Sequence, residues 1–369
     1  MKIALMTIHN ALNYGALFQA YATQEVLSRY GKVDIINYQN KHIEKVYKTF
    51  NIRINHTFLK GFIRDLFLLK GKLSKKRKFK KFFNSRLNFT ELTDFRKGSL
   101  KVYDLYVSGS DQIWNPLCTN GNSVVNEHYF LQFAPVGARK ISYATSLGSF
   151  RFNVDQLEKA KTLLEPFDNL SIREKDGKEY LESLLGKEVE QVLDPTLLLS
   201  KSDWIKKLGL QKNKFNTDYI LVYTVPRSDL LKKVVDYYSK KDIKIIAVDS
   251  NIRKLGAVDK QIRDAGPEEF LNLFLNAKKI ITDSFHGVCF SINFQKDFLA
   301  VSSGQQSNRM NNILELTGLE DRFIDSIESI SSLDDLGSID FINAHKLLDE
   351  KKAESFKYLS KAITTESQL

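Results

Sequence analysis

Cysteine is nearly absent: Cys118 and Cys289 are the two in 369 residues. They stand far apart and no Cys-x-x-Cys occurs, so neither a zinc site nor a disulfide framework is supported. Long apolar runs are missing as well. Nothing approaches the roughly twenty apolar residues of a membrane span. The apolar run in MKIALMTIHN is too short for a signal peptide. A cytoplasmic, reducing setting is therefore expected. Acidic residues are outnumbered, 44 against 55 Lys and Arg, which leaves a net charge of +11. That excess favours an acidic partner: a phosphorylated small molecule, a nucleic acid or an anionic membrane surface. Internal repeats are absent, and the single low-complexity feature is a lysine run. Hydrophobic residues make up 43% and charged residues 27%, as in a soluble globular chain, and the length suggests two domains.

The chain opens as strand, loop, helix and strand. Lys2–Ile8 reads as a strand, and the spacing of Leu17, Ala20, Tyr21, Gln24 and Leu27 predicts a helix. Asn13 is placed to cap that helix, and Lys32–Tyr38 is a second strand. Such a unit begins a Rossmann-like half, and its polar loop lies on the ligand side. Asn13 as a cap alone accounts for the same pattern. Residues 42–90 depart from it. Seven Lys or Arg fall between Lys72 and Lys81, with Phe62, Leu66, Phe67, Leu69, Phe79, Phe82 and Phe83 interleaved. Three readings of this stretch stay open. It rests on anionic headgroups through residues 60–86, it tracks nucleic acid, or it is the solvated face of an inserted helical hairpin. No nucleic-acid module surrounds it.

The sheet resumes at Tyr103–Val107 and runs into Ser108-Gly109-Ser110-Asp111-Gln112-Ile113-Trp114, read as a polar turn at a strand end. Trp114 there is equally a packing residue. Lys140–Ala144 is a strand ending at Thr145-Ser146-Leu147-Gly148. Leu170–Ile172 precedes Arg173-Glu174 and a helix with Asp176 as its cap. A linker is expected near Ser200–Trp204. Beyond it strands and helices alternate: Tyr219–Val225, Ser228–Ser239, Ile243–Val248, Pro267–Ala277, Ile280–Thr282 and Asp297–Val301. A helix begins near Arg309, and Phe341–Ile363 is a terminal helix. Alternation of this kind argues a parallel sheet. In Thr282-Asp283-Ser284-Phe285-His286-Gly287 a buried strand ends in polar groups just before a helix start, where backbone N–H groups suit an anion. A histidine hydrogen-bonded in the core beside a turn glycine fits the same residues.

Seven motifs in order, NYGALFQAY, GSDQIWN, SYATSLG, SIRE, VLDPTLLL, TDSFHG and NRMNNILELTGL, closely resemble the polysaccharide pyruvyl transferase family. The resemblance covers most of the chain. It implies transfer of a pyruvyl group from phosphoenolpyruvate to a sugar, as a cyclic ketal with release of phosphate. It also implies two Rossmann-like domains facing a cleft, GT-B-like, with the basic stretch as a helical insertion in the first domain. Residues 1–200 would form the acceptor side with the insertion at 42–90, and 201–340 the phosphoenolpyruvate side, with 341–369 a helical tail. The acceptor would be a saccharide, lipid-linked or otherwise carried. No metal and no cofactor are implied, and nucleic acid is not an expected partner. An enzyme at the inner face of the membrane would fit the basic stretch.

The chain departs from other branches at Ser284-Phe285-His286, where they carry Arg-Leu-His, and at Asn13-Tyr14-Gly15-Ala16, where they carry Asn-x-Gly-Asp. A donor with a carboxylate and a phosphate asks for arginine, whose planar fork matches both. Arg173 and Arg309 sit at expected ligand-side ends. Arg309 is expected to take the role absent at Ser284, and a local ion pair with Glu174 or Asp176 is the plain reading of Arg173. Donor contacts are thus assigned to Arg173, Ser284, His286, Gly287 and Arg309. Acceptor contacts are assigned to Asn13, Tyr14, Ser110, Trp114 and Ser146. His286 would protonate the methylene carbon or hold the phosphate. Asp111 would take the acceptor's proton, unless it only stabilises its turn. Cys289, three residues after His286, lacks any acyl-transfer signature, and buried cysteine is common. A GT-B glycosyltransferase using a nucleotide sugar and a non-catalytic carbohydrate-binding protein of the same fold remain alternatives.

Overall fold

The computed structural model describes residues 1–46, 58–91, 95, 102–212, 218–304, 307–333 and 336–364, without the side chains of 46, 58–68, 331 and 332. The chain divides into two α/β units. The first comprises Met1–Tyr47, Asn84–Leu199 and Leu348–Leu369, and the second Lys48–Phe83 and Ser200–Leu347.

The elements run in chain order as β1 (Lys2–Met6), α1 (Tyr14–Leu27), β2 (Lys32–Ile35), α2 (Lys41–Val46), α3 (Phe58–Arg86), β3 (Leu105–Asp111), α4 (Pro116–Thr119), β4 (Lys140–Thr145), α5 (Val154–Leu164), β5 (Leu170–Ile172), α6 (Lys175–Leu185), β6 (Val189–Gln191) and α7 (Pro195–Leu198). After these come α8 (Lys201–Leu208), β7 (Tyr219–Tyr223), α9 (Asp229–Tyr238), β8 (Lys244–Val248), β9 (Lys260–Ile262), α10 (Pro267–Asn276), β10 (Lys279–Thr282), α11 (Phe285–Asn293), β11 (Asp297–Val301), α12 (Asn308–Thr317), β12 (Phe323–Ile324) and α13 (Phe341–Ile363).

Each unit holds one six-stranded sheet, ordered β2-β1-β3-β4-β5-β6 in the first and β12-β11-β10-β7-β8-β9 in the second. Every pairing between these strands is parallel. Parallel strands carry helices on both faces, which is why β7, Tyr-Ile-Leu-Val-Tyr, is buried throughout. In both units the chain turns back across the sheet beside its first strand, at β1/β3 and β7/β10, and ligands bind at such switch points. Register sets what meets there. Met6 lies opposite Ser108, Asp111 opposite Thr145 and Thr145 opposite Ile172. In the second sheet Thr282 lies opposite both Tyr223 and Ala300.

Four expectations need correction. The Ser-Gly-Ser-Asp segment is strand rather than turn, because β3 continues to pair with β4 as far as Asp111. The expected linker at Ser200–Trp204 is the start of α8, where Ser200 and Asp203 form a capping box. The cap of α6 is Glu174 rather than Asp176, which pairs with Arg151 at 2.5 Å. The basic stretch, expected within the first domain, clusters with the second unit through Phe83. Lys78 on α3 reaches Glu269 at 2.8 Å and the Asp264 carbonyl at 3.0 Å, and Ser74 donates to Asp264. Part of the expected insertion, 47–57, lies outside the described residues.

Candidate functional site

The first unit gathers polar groups at the carboxyl ends of β3, β4 and β5. Arg173 follows β5 and is 6% exposed. Its guanidinium donates to Asp194 at 2.5 Å and to Asp111 at 3.2 Å, with Glu174 at 4.0 Å. Burial lowers its pKa, but Asp194, Asp111 and Glu174 outweigh burial and raise it above the ordinary guanidinium value. One cation therefore faces three carboxylates. This burial among three carboxylates argues against the expectation that Arg173 holds phosphoenolpyruvate, since its guanidinium is already engaged by Asp194 and Asp111. The expected local pair with Glu174 is present at 4.0 Å, and Asp194 and Asp111, 21 and 62 residues away in sequence, add to it.

The other first-unit candidates divide by what their side chains already do. Asn13 accepts from the Ala16 amide and caps α1, and Tyr14 is buried on the first turn of that helix. Ser146 donates to Glu174 Oε1 at 2.5 Å and accepts from the Gly148 amide. Trp114 is 1% exposed, stacks on Phe130 with centroids 5.5 Å apart and donates Nε1–H to the Tyr129 carbonyl. That burial makes Trp114 a core residue rather than an acceptor contact. Ser110 and Asp111 are the last residues of β3, and the Asp111 carboxylate is engaged by Arg173.

The second unit brings its candidates together. Ser284 caps α11 and makes no side-chain capping bond, and Ser307 does the same at α12. These two helices follow the adjacent strands β10 and β11, so their uncapped amino ends open on the same side of the sheet. His286 lies in the first turn of α11, buried, with its ring 5.1 Å from that of Phe285. The Arg309 guanidinium stands over the Phe285 ring at 5.4 Å. Amino ends of helices favour anions, and an arginine there adds a fork for phosphate or carboxylate. Gly287 has a packing reason to be glycine, since an added β-carbon would lie 2.2 Å from Thr282 Oγ1. Cys289 is buried one turn on.

Asp283, which the candidate set omitted, holds the neighbouring loop in place. Its carboxylate accepts from Thr224 Oγ1 and from the Val225 and Ser228 amides, which fixes the chain between β7 and α9. Burial raises its pKa against those bonds. Its sequence signal was its place at the carboxyl end of a strand. Among the described residues no cluster of three or more His, Cys, Asp or Glu could hold a metal ion. No helix among them is long and apolar enough to cross a membrane.

Two parallel-sheet units with ligand-side strand ends define a two-domain, Rossmann-like α/β protein. The sequence profile of the polysaccharide pyruvyl transferase family matches residues 13–305, and the chain belongs to that family. No curated protein matches it. Among solved structures it is similar to the UDP-GlcNAc 2-epimerase of Neisseria meningitidis, at 11% identity over 98% of this chain and 100% of that one, with a TM-score of 0.48. The S. aureus MnaA protein solved with UDP gives 11% identity, 97% and 95% coverage and a TM-score of 0.49. The E. coli heptosyltransferase WaaC gives 10%, 82% and 88%, and 0.38.

Proposed function

We propose that the chain transfers the pyruvyl group of phosphoenolpyruvate to a sugar of a polysaccharide or of its lipid-linked precursor, releasing phosphate and closing a cyclic ketal. The observation that supports the donor half is that Arg309 stands over the Phe285 ring, the residue before His286, where two helices begin without side-chain caps. Phosphoenolpyruvate bears a phosphate and a carboxylate, and both would be stabilised by those amides and that guanidinium. Ser284 and Gly287 belong to the same turn.

The chemistry needs a proton on the methylene carbon, which leaves an oxocarbenium-like centre at the neighbouring carbon. A sugar hydroxyl adds there and loses its proton. The phosphate then departs with its bonding electrons, and a second hydroxyl closes the ring as its proton passes to the released phosphate. His286 is the group on the donor side that can give the first proton or hold the phosphate. Asp111 remains the proposed acceptor of the hydroxyl proton, and its bond to Arg173 fixes its orientation.

The test is inorganic phosphate released from phosphoenolpyruvate in the presence of an oligosaccharide panel. His286→Ala and Arg309→Ala are each expected to lose about a hundredfold or more in rate, and Cys289→Ser to keep its activity. Near wild-type turnover in either of the first two removes that residue from the mechanism. Nucleotide released from a nucleotide sugar, with no phosphate from phosphoenolpyruvate, overturns the reading.

A further inference from the structure

The loop after β1 and the last residues of β3 carry buried polar atoms that the chain leaves unused. His9 is 4% exposed and Ser110 is fully buried. His9 Nε2, Ser110 Oγ and both polar atoms of the Asn10 side chain are shielded from solvent and have no hydrogen-bond partner among the described residues. An unmet buried group of this kind costs about 1–3 kcal/mol, so several on one sheet end are a feature to be explained.

Slack in the loop does not explain them. Gln19, fully buried on α1, donates to Thr7 Oγ1 at 3.0 Å, to the Ile8 carbonyl at 3.0 Å and to the Ala16 carbonyl at 2.8 Å. Thr7 Oγ1 in turn lies 3.4 Å from the Ser110 carbonyl oxygen, which ties the loop after β1 to β3. The His9 ring packs against Phe89 at 5.0 Å. Its Nδ1 lies 3.2 Å from the Thr7 carbonyl oxygen. A carbonyl only accepts, so Nδ1 carries the hydrogen and Nε2 presents a lone pair. Burial holds the ring neutral, pushing its pKa down to about 4. Asn37 faces the same ring without a hydrogen bond of ordinary geometry to Nε2.

The charge of the region selects the ligand class. The nearby cation, Arg173, is outnumbered by Asp111, Glu174 and Asp194. An anion is therefore repelled, and fully ionised phosphoenolpyruvate has no hydrogen to offer Nε2. A neutral ligand with both donors and acceptors fits: a polyol, hence a saccharide.

We propose that His9, Asn10 and Ser110 form the hydroxyl-recognition part of the saccharide acceptor site, with His9 Nε2 accepting from one sugar hydroxyl and the Asn10 amide and Ser110 hydroxyl bonding others. The inference rests on the pyruvyl-transfer reading for the word acceptor, and on the unused polar atoms for its place. It adds two residues, His9 and Asn10, to the strand-end group that included Ser110.

Saturation-transfer NMR with methyl β-D-galactopyranoside, methyl β-D-glucopyranoside and methyl α-D-mannopyranoside tests it on the full chain. At least one glycoside is expected to bind wild type. His9→Phe keeps an aromatic ring and removes the lone pair. It and Ser110→Ala are each expected to weaken that glycoside about fivefold, the worth of one neutral hydrogen bond. Half-buried Asn10→Ala gives the same readout should His9→Phe fail to fold. The thermal shift given by phosphoenolpyruvate is expected to be equal in all four proteins. No glycoside binding to wild type overturns the proposal, and so does binding that the variants leave unchanged. Variant-sensitive glycoside binding with no phosphoenolpyruvate shift upholds the site and sinks the pyruvyl-donor reading instead.

Discussion

Arg173 is surrounded by more negative charge than it carries, and that excess makes its removal a stability question before it is a catalytic one. Arg173→Leu leaves Asp111, Glu174 and Asp194 facing one another out of water. Breaking a buried network by deleting its cation costs about 3–5 kcal/mol. We expect urea unfolding to show a loss of that size, while the phosphoenolpyruvate thermal shift of the folded fraction stays at its wild-type value. A lost shift in a variant of undiminished stability would return Arg173 to the donor site. His9 makes a second residue-scale prediction. Its pKa falls from 6.5 to about 4 on folding, because burial opposes the charge. Between those values the unfolded chain binds a proton that the native chain refuses. Stability therefore falls as pH falls through the window, by an amount of order 3 kcal/mol. Denaturation across that range is expected to show a smaller loss for His9→Phe than for wild type. Parallel losses would mean that the ring already carries a partner for its proton.

At the scale of elements, α3 shows how an amphipathic pattern is used. Phe79 and Phe82 are buried, whereas Lys76, Arg77, Lys80 and Lys81 are exposed. Phe79 and Phe82 thus pack into the protein and are not free to enter a bilayer. The apolar residues at 62, 66 and 67 lie outside the described side chains. The exposed charges alone predict association with anionic liposomes at low ionic strength that is lost near physiological salt. Sedimentation at the two salt concentrations checks this, and pelleting that survives high salt would require apolar insertion. The same element shows the reach of the sequence. Its helix and its charge are local properties and were legible, as were α1 under its Asn13 cap and α13 to the residue. Its membership of the second unit was not, because that depends on Lys78 meeting Asp264 and Glu269, almost two hundred positions away. The site divides in the same manner. The places of His286 and Arg309 were legible because each stands at a helix start after a buried strand. The partners of Arg173 were hidden by sequence distance. His9 and Asn10 were two polar residues in a polar loop until burial showed that their atoms go unused.

At the scale of the whole molecule, the two tryptophans separate the units. Trp114 lies in the core of the first, beside Phe130 and Phe167, and Trp204 lies against Phe290 in the second. Both are buried, so each is quenched or shifted when its own core opens. The two cores are distinct clusters, one built on Tyr106, Trp114 and Phe130 and the other on Val222, Val235 and Ile281. Trp114→Phe leaves Trp204 to report the second unit, and Trp204→Phe leaves Trp114 to report the first. A ligand that binds only native protein stabilises it by RT ln(1 + [L]/Kd), about 2.7 kcal/mol at a hundredfold excess over Kd. If Arg309 and His286 hold the donor as proposed, phosphoenolpyruvate is expected to move the urea midpoint reported by Trp204 and to leave that reported by Trp114 in place. A methyl glycoside that binds at His9 and Ser110 is expected to do the reverse. Phosphoenolpyruvate that moved the Trp114 report alone would place the donor on the first unit, beside three carboxylates, and the charge argument on which both site assignments stand would fail.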